Sequence, residues 1–501
     1  MDTHAREPSR GGADVGHDVT LGATRRRQCL AIEGLVQGVG FRPFVFGLAK
    51  RLGLRGTVSN VDGGVLIDID GAPRELGAFR RGLESEAPPL ARIDSVVEAS
   101  LPPRASPTPD FQIVASGGGG GVSLVSPDVS LCGACRREMR DPADRRYGYA
   151  FINCTDCGPR FTIVTGTPYD RPLTTMADFV MCPACRSEYE DPASRRFHAQ
   201  PVACPECGPR TLWRGDDGAA SGDGPVGDAA VAAARTALAE GKIVAVKGIG
   251  GFHLACDATA DAAVAELRRR KGRPHKPLAV MVKDLEAARR YAEVSAGEAE
   301  LLGGAERPIV LLAARSGAGL APQVAPGQGT VGLMLPYSPL HELLLGERPL
   351  VMTSGNLSGE PIVKDFETAR ARLGGVADGF LDHDRPIHTV CDDSVVRRVA
   401  GGTSFLRRSR GYAPSPLALP REAPPLLAVG GELKSVFCLA AGRRAFLSQH
   451  LGDVASPDTL EAFERAYVLM RELFDITPEV VACDLHPGYL SSQWAAKLAA
   501  S

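Results

Sequence analysis

Eight of the thirteen cysteines fall into four C-x-x-C pairs between residues 132 and 207, and this array constrains the fold more than any other feature. Cys132 and Cys135 are followed after eighteen residues by Cys154 and Cys157, and Cys182 and Cys185 after eighteen by Cys204 and Cys207. The second set is the first displaced by fifty residues, and its surroundings repeat with it. Asp141-Pro142 with Arg145-Arg146 recurs as Asp191-Pro192 with Arg195-Arg196, and Cys157-Gly158-Pro159-Arg160 as Cys207-Gly208-Pro209-Arg210. A duplication of this kind means two copies of one small unit. Each copy is too short for its own core, so four thiolates around Zn²⁺ would supply the folding free energy instead. Redox pairs or unligated thiols are the other readings; the spacing, which falls in the range of Cys₄ sites, favours zinc. Four thiolates close the tetrahedron, so the two zinc ions are expected to be structural. His198 offers a substitute ligand, but eight cysteines already fill eight positions.

The other five cysteines, Cys29, Cys256, Cys391, Cys438 and Cys483, are scattered. Tightly spaced reduced thiols fit a reducing compartment. Fifty-seven basic residues stand against 59 acidic ones, a formal charge of −2, which argues against a nucleic-acid coat and against a polybasic membrane binder. No apolar run approaches the roughly 20 residues of a membrane span. The polar first twenty residues lack the apolar stretch of a signal peptide. The expectation is a cytoplasmic protein of 501 residues, or about three to five domains.

Four seams divide the chain. Residues 1–26 read as a disordered tail, Ser116–Gly121 as a glycine linker, Trp213–Gly227 as a second linker and Ala413–Pro425 as an extended proline-rich one. Residues 27–115 read as strand (Cys29–Leu35), glycine loop, helix (Pro43–Leu52), strand (Gly56–Asn60), a turn at Asp62-Gly63, and strand (Gly64–Asp70). A helix (Pro73–Glu86) and strands at Ile93–Ala99 and Phe111–Ala115 follow. That is the βαββαβ order of a ferredoxin-like sandwich. Residues 123–211 hold the two Cys₄ units. Residues 226–412 alternate helix and strand patterns, as in Ala229–Glu240, Lys242–Lys247, Ala260–Arg270, Leu278–Val282 and Ile309–Leu312, and form an α/β domain. Residues 426–501 open another α/β pattern, with strands at Leu426–Val429, Phe437–Ala440, Ala445–Ser448 and Val480–Asp484 and a helix near Leu460–Leu473. About 75 residues are few for a domain whose strands have only begun, so this last unit reads as truncated.

Two further motifs carry chemistry. Gln37-Gly38-Val39-Gly40-Phe41-Arg42 lies between a strand and a helix. Its glycines allow backbone N–H groups to turn inward, the helix N-terminus adds positive potential, and Arg42 adds a bidentate contact; together they suit a phosphate. Asn60, ending the next strand, would reach the same mouth and orient a water. The bland reading is a glycine turn beside a surface arginine. In the α/β domain, Lys271, Arg273 and Lys276 lie within six residues of a proline-stiffened loop. Far downstream come the small-polar turn Thr353-Ser354-Gly355-Asn356-Leu357-Ser358-Gly359 and the cations Arg407, Arg408 and Arg410. Such a set suits a triphosphate and its metal, and equally a solvated basic loop. Lys247-Gly248-Ile249-Gly250-Gly251 is not a dinucleotide fingerprint, because its third glycine is misplaced. His253 and His341 read as packed histidines.

In this order the motifs resemble the HypF family of hydrogenase maturation carbamoyltransferases, over residues 28–501. Residues 28–115, with Val36-Gln-Gly-Val-Gly-Phe41-Arg42 and Asn60, resemble its acylphosphatase domain, and the doubled Cys₄ units resemble its paired zinc fingers. Residues 226–412 resemble the YrdC/Sua5 fold, whose K-x-R…S-x-N nucleotide motif falls on Lys271, Arg273, Ser354 and Asn356, with its later serine and arginine on Ser394 and Arg407. Val429-Gly-Gly-Glu432-Leu-Lys434, with Asp484-Leu-His486-Pro487 and Tyr489, resembles the opening of its Kae1-like, actin-fold domain. The resemblance implies a relay. Carbamoyl phosphate is hydrolysed with Arg42 and Asn60 as catalytic residues, and the carbamate is adenylated with ATP and Mg²⁺. The carbamoyl group then passes to the C-terminal cysteine of HypE, where it becomes a cyanide ligand of the nickel-iron hydrogenase. The family's later histidine-rich metal site has no counterpart here, and His486 stands alone.

Two other readings remain. One is an acylphosphatase fused to a threonylcarbamoyl-AMP synthase acting for tRNA, which the zinc pair and the neutral charge disfavour. The other is a non-enzymatic zinc-ribbon scaffold for protein or nucleic acid. It calls for a basic, aromatic-bearing face, and residues 132–210 have few aromatics and many acids.

Overall fold

The computed structural model describes residues 25–61, 64–88, 90–102, 110–114, 124–215, 224–357 and 359–500. The glycine linker, the Asp62-Gly63 turn, nearly all of the N-terminal tail and Ser358 lie outside the described residues.

Period-two alternation in the first ninety residues produces a two-layer sandwich. Its elements are β1 (Arg26–Leu35), α1 (Phe41–Arg51), β2 (Arg55–Val61), β3 (Gly64–Gly71), α2 (Pro73–Ser85), β4 (Arg92–Leu101) and β5 (Phe111–Ile113). The sheet runs β4-β1-β3-β2-β5, antiparallel except for the parallel β2–β5 edge. Alternate side chains (Leu30, Ile32, Val58, Val65, Ile67, Ile69) are buried with Val45 and Leu48 of α1 and with Leu76, Phe79 and Leu83 of α2 in one core. Asn60 belongs to the same buried set of β2, on the helix-covered side.

In each cysteine unit one helix starts directly after the first ligand: α3 (Gly133–Arg140) after Cys132 and α4 (Pro183–Glu190) after Cys182. The α/β domain follows with β6 (Thr211–Gly215), α5 (Asp228–Ala239), β7 (Val244–Lys247), β8 (Phe252–Asp257), α6 (Asp261–Lys271), β9 (Ala279–Met281), α7 (Leu285–Tyr291) and α8 (Ala296–Gly303). It continues with β10 (Ile309–Ala313), β11 (Thr330–Met334), α9 (Pro339–Leu344), β12 (Leu350–Ser354), α10 (Phe366–Leu373), β13 (Gly379–His383), β14 (Val395–Val399) and β15 (Gly402–Arg407). Its ten-stranded mixed sheet is ordered β15-β14-β10-β11-β9-β12-β8-β7-β13-β6. The last unit comprises β16 (Leu417–Val429), β17 (Phe437–Leu447), α11 (Pro457–Leu473), β18 (Val480–Ala482) and α12 (Leu490–Ala499).

Two of the expected linkers are partly strand. Residues 211–215 form β6, paired with β13, and the Trp213 ring lies so close to Gly379 that a Cβ there would sit 2.5 Å from it. Apolar contact on one face therefore outweighs the polar composition that made this stretch look like a linker. Residues 417–425, in the expected proline-rich seam, belong to β16. The register slips between Ala418 and Ala423 and again between Ala423 and Leu426. Pro420, Pro424 and Pro425 occupy those slips, where no ladder N–H is required. Among the described residues no helix is long and apolar enough to cross a membrane.

Candidate active sites and metal centres

The eight paired cysteines form two clusters, Cys132/Cys135/Cys154/Cys157 and Cys182/Cys185/Cys204/Cys207, each with its sulfurs within 4.8 Å of one another. The Cys132–Cys154, Cys182–Cys204 and Cys204–Cys207 sulfurs are 3.8 Å apart, and Cys154–Cys157 3.9 Å. A tetrahedron with metal–sulfur bonds of about 2.3 Å has edges of about 3.8 Å, so both clusters have the dimensions of a Cys₄ zinc site. Backbone N–H groups of Cys135 and Asp156 point at the sulfurs of Cys132 and Cys154, each at 3.4 Å. His198 lies elsewhere, between the rings of Tyr189 and Phe197.

The repeated arginines cross over between the units. From the first unit, Arg145 and Arg146 donate to Cys185 Sγ (3.2 and 3.4 Å) and to Glu188, and Arg146 also to the Ala203 carbonyl. From the second unit, Arg195 reaches Cys135 Sγ at 3.7 Å and Glu138 at 2.7 Å. Arg196 bonds Glu138 and the Asn153 carbonyl. A dication with four thiolates carries a net charge of −2, and the arginines that reach each unit's sulfurs come from the other copy.

The glycine loop leads into α1 as the sequence predicts. Gly38 and Gly40 take φ values of 69° and 74°, open to glycine at little cost, and Gly40 caps the helix. The Gln37 side chain donates to the Val61 and Gly64 carbonyls (both 2.9 Å) and so ties the loop to the β2–β3 end. Val39 and Phe41 are core residues. Arg42 shares a cleft with Gly38, Gly40, Thr155, Arg160, Tyr169, His198 and Gln200, so the first finger and the segments after it roof the loop. Its guanidinium lies 3.5 Å from Asp170. Burial first, and then the charge of Arg42, brings His198 down to about 4. The Asn60 side chain is 1 % exposed, and neither its amide nor its oxygen has a partner. A buried carboxamide left open in this way calls for a water or a substrate atom.

In the α/β domain, Lys271 at the end of α6 donates to the carbonyls of Ser354 (2.6 Å) and Asn356 and to Asn356 Oδ1 (3.0 Å). Ser354 Oγ donates to the same Oδ1 at 2.7 Å. Arg273, held by the Pro277 carbonyl at 2.7 Å, is pulled down to about 10 by burial first and then by Arg407. Burial, then Arg273 and Arg407, also lower Lys276. Arg407 pairs with Asp392. The structure thus brings Lys271, Arg273, Lys276, Ser354, Asn356 and Arg407 together. It directs the Ser394 hydroxyl elsewhere, to the Arg410 carbonyl (2.9 Å) and the Ser409 N–H (2.8 Å). His450 and Asp453 of the last unit approach the cations: His450 is lowered to about 4, by burial and then by Arg407, while Asp453 acts on both His450 and Lys276. No local pattern marks these two, since they reach the Lys271–Lys276 loop from another unit of the chain. A separate cavity between the first finger and the α/β domain is lined by Phe151, Lys247, Tyr337, His383 and Arg385.

This combination defines a class of multidomain proteins in which an acylphosphatase-type anion loop, a doubled Cys₄ finger and a nucleotide-type cation cleft share one chain. Family models match in that order: acylphosphatase over residues 28–113, HypF finger over 131–164 and 181–213, telomere recombination (the Sua5/YciO/YrdC family) over 236–409, and HypF Kae1-like domain over 421–501. Carbamoyltransferase HypF2 of Cupriavidus necator is 48% identical over 94% of this chain and 60% of its own length. Carbamoyltransferase HypF of Rhodobacter capsulatus is 50% identical over 93% and 62%. A crystal structure of full-length HypF in the phosphate- and nucleotide-bound form superposes with a TM-score of 0.89 at 46% identity, covering 94% of this chain and 62% of that one. The chain belongs to the HypF family, and it spans about three fifths of the length of the curated relatives it matches.

Proposed function

We propose that the chain carries the first two steps of a carbamoyl relay. At the glycine loop, water attacks carbamoyl phosphate and the P–O bond breaks to give carbamate and phosphate. Loop N–H groups and Arg42 bind the phosphoryl oxygens, and Asn60 orients the water. At the cation cleft the carbamate oxygen attacks the α-phosphate of ATP, forming carbamoyl-AMP and releasing pyrophosphate. Lys271, Arg273, Lys276 and Arg407 offset the charge of the departing pyrophosphate, and Mg²⁺ arrives with the nucleotide. Zinc at the two Cys₄ clusters is structural. In the family's full-length proteins the carbamoyl group would then go to the cysteine of HypE, for cyanide ligand synthesis in hydrogenase maturation in the cytoplasm.

The observation that carries the reading is the buried Asn60 carboxamide with both polar atoms unpartnered, on the side of β2 that α1 covers. Carbamate decomposes in water, so transfer inside the protein would limit its loss. The test is conversion of ATP to AMP and pyrophosphate by the purified chain. AMP release that requires carbamoyl phosphate and is lost in Arg42→Ala is the expected result. Free phosphate without AMP would leave an acylphosphatase beside a silent nucleotide cleft.

A further inference from the structure

A guanidinium of the first finger hydrogen-bonds the phosphate loop. Arg160, the last residue of the first Cys-Gly-Pro-Arg motif, is 2 % exposed. Its Nε donates to the Gly38 carbonyl at 2.7 Å. Nη1 donates to the carbonyls of Cys157 (3.1 Å) and Pro159 (2.8 Å), and Nη2 to those of Cys154 (3.3 Å) and Thr155 (2.8 Å). Two of these carbonyls belong to cysteines of the first cluster. One rigid fork therefore joins the metal unit to the loop.

The bond to Gly38 orients a donor. A trans peptide unit is planar, and its C=O and N–H point in opposite directions. Pinning the Gly38 oxygen towards Arg160 turns the Val39 N–H the other way, away from the finger side of that peptide. The same finger region closes over both loop glycines. A Cβ on Gly38 would lie 3.0 Å from the Tyr169 ring, and one on Gly40 3.1 Å from the Thr155 side chain.

The duplication supplies an internal control. Arg210, the equivalent residue of the second copy, is exposed, and its backbone N–H donates to Asp384. The second copy assembles its four cysteines with its own motif arginine turned outward, so the Cys-Gly-Pro-Arg motif does not by itself draw its arginine inward.

We propose that the first zinc unit is a working part of the phosphate site, with Arg160 as the positioning residue that sets the loop's donors through the Gly38 carbonyl. The proposal rests on reading residues 37–42 as a phosphate loop. Its test is inorganic phosphate affinity and zinc content measured on the full chain, together with the KM and kcat of carbamoyl phosphate hydrolysis. Arg160→Lys keeps the charge but loses the fork. It is expected to hold two zinc ions per chain, to bind phosphate roughly ten- to a hundredfold more weakly, the scale of one charge-assisted hydrogen bond, and to raise KM more than it lowers kcat. Arg210→Lys should leave all three readings at wild-type values. Arg160→Lys with two zinc ions and unchanged phosphate affinity overturns the proposal. If Arg160→Lys loses zinc, its phosphate affinity is read again after zinc is restored to two ions per chain, and wild-type affinity in either state overturns the proposal too. A wild-type chain with two zinc ions and no phosphate binding overturns the phosphate-loop reading itself.

Discussion

Lys271 sits under opposing pressures. Three oxygen acceptors favour its ammonium form, while burial first and the charge of Arg273 next bring it from 10.5 to about 7. A polyphosphate favours the charged form, so above pH 7 nucleotide binding draws in a proton. ATP affinity is expected to fall as pH rises from about 7 to 9, by up to about tenfold per unit. Calorimetry in two buffers of different protonation enthalpy reads the uptake directly, and Lys271→Met should bind more weakly and abolish the slope. A slope that survives in Lys271→Met would place the titrating group elsewhere. The sign for the ligand-free protein is opposite. Between about 7 and 10.5 the unfolded chain holds the proton that the folded chain lacks, so this lysine's contribution to stability rises with pH across that window. The residue types and spacing of Lys271, Arg273, Ser354 and Asn356 were legible in the sequence because a short loop and a short turn carry them. His450 and Asp453 were not, since tertiary folding alone brings β17's exit to that cleft.

At the level of elements, the crossed arginines make a specific demand on the fingers. Arg146 lies in the first unit but donates to Cys185 and Glu188 of the second. Partners just outside a metal's ligands typically contribute ten- to a hundredfold in affinity. Arg146→Ala should therefore speed zinc loss to a chelator from the second cluster and leave the first nearly unchanged. Cys132→Ser, which should retain about one zinc per chain, isolates the second cluster for that measurement. Faster loss from the first cluster would refute the crossed assignment. The duplication itself could be read from spacing, yet the exchange could not, because identical motifs fit within a copy as well as between copies. Prolines misled in a comparable way at residues 417–425. Pro420, Pro424 and Pro425 argue for a linker until the slipped register of β16 shows that each falls where the ladder needs no donor.

Across the whole molecule, one apolar core runs from the first unit to the last, joining Leu30, Val58 and Phe79 to Phe437, Phe463 and Met470. Arg444 adds ionic contacts at 3.7 Å to Glu33 and Asp94. Units that share a core should unfold together. Trp494, packed against Phe463 and Tyr467, reports on the last unit. In Trp213→Phe it is the sole tryptophan, and its fluorescence change should coincide in denaturant with the loss of phosphate binding by the first unit. Phosphate binding lost well before the fluorescence responds would show two independent melting units. The exchanged finger arginines also bear on ancestry. Each copy lends its cations to the other's thiolates, the arrangement expected of two identical subunits related by a twofold axis before fusion of their genes. A descendant that discarded either copy would strip the survivor of its counter-charges, so the two can be lost together but not one at a time.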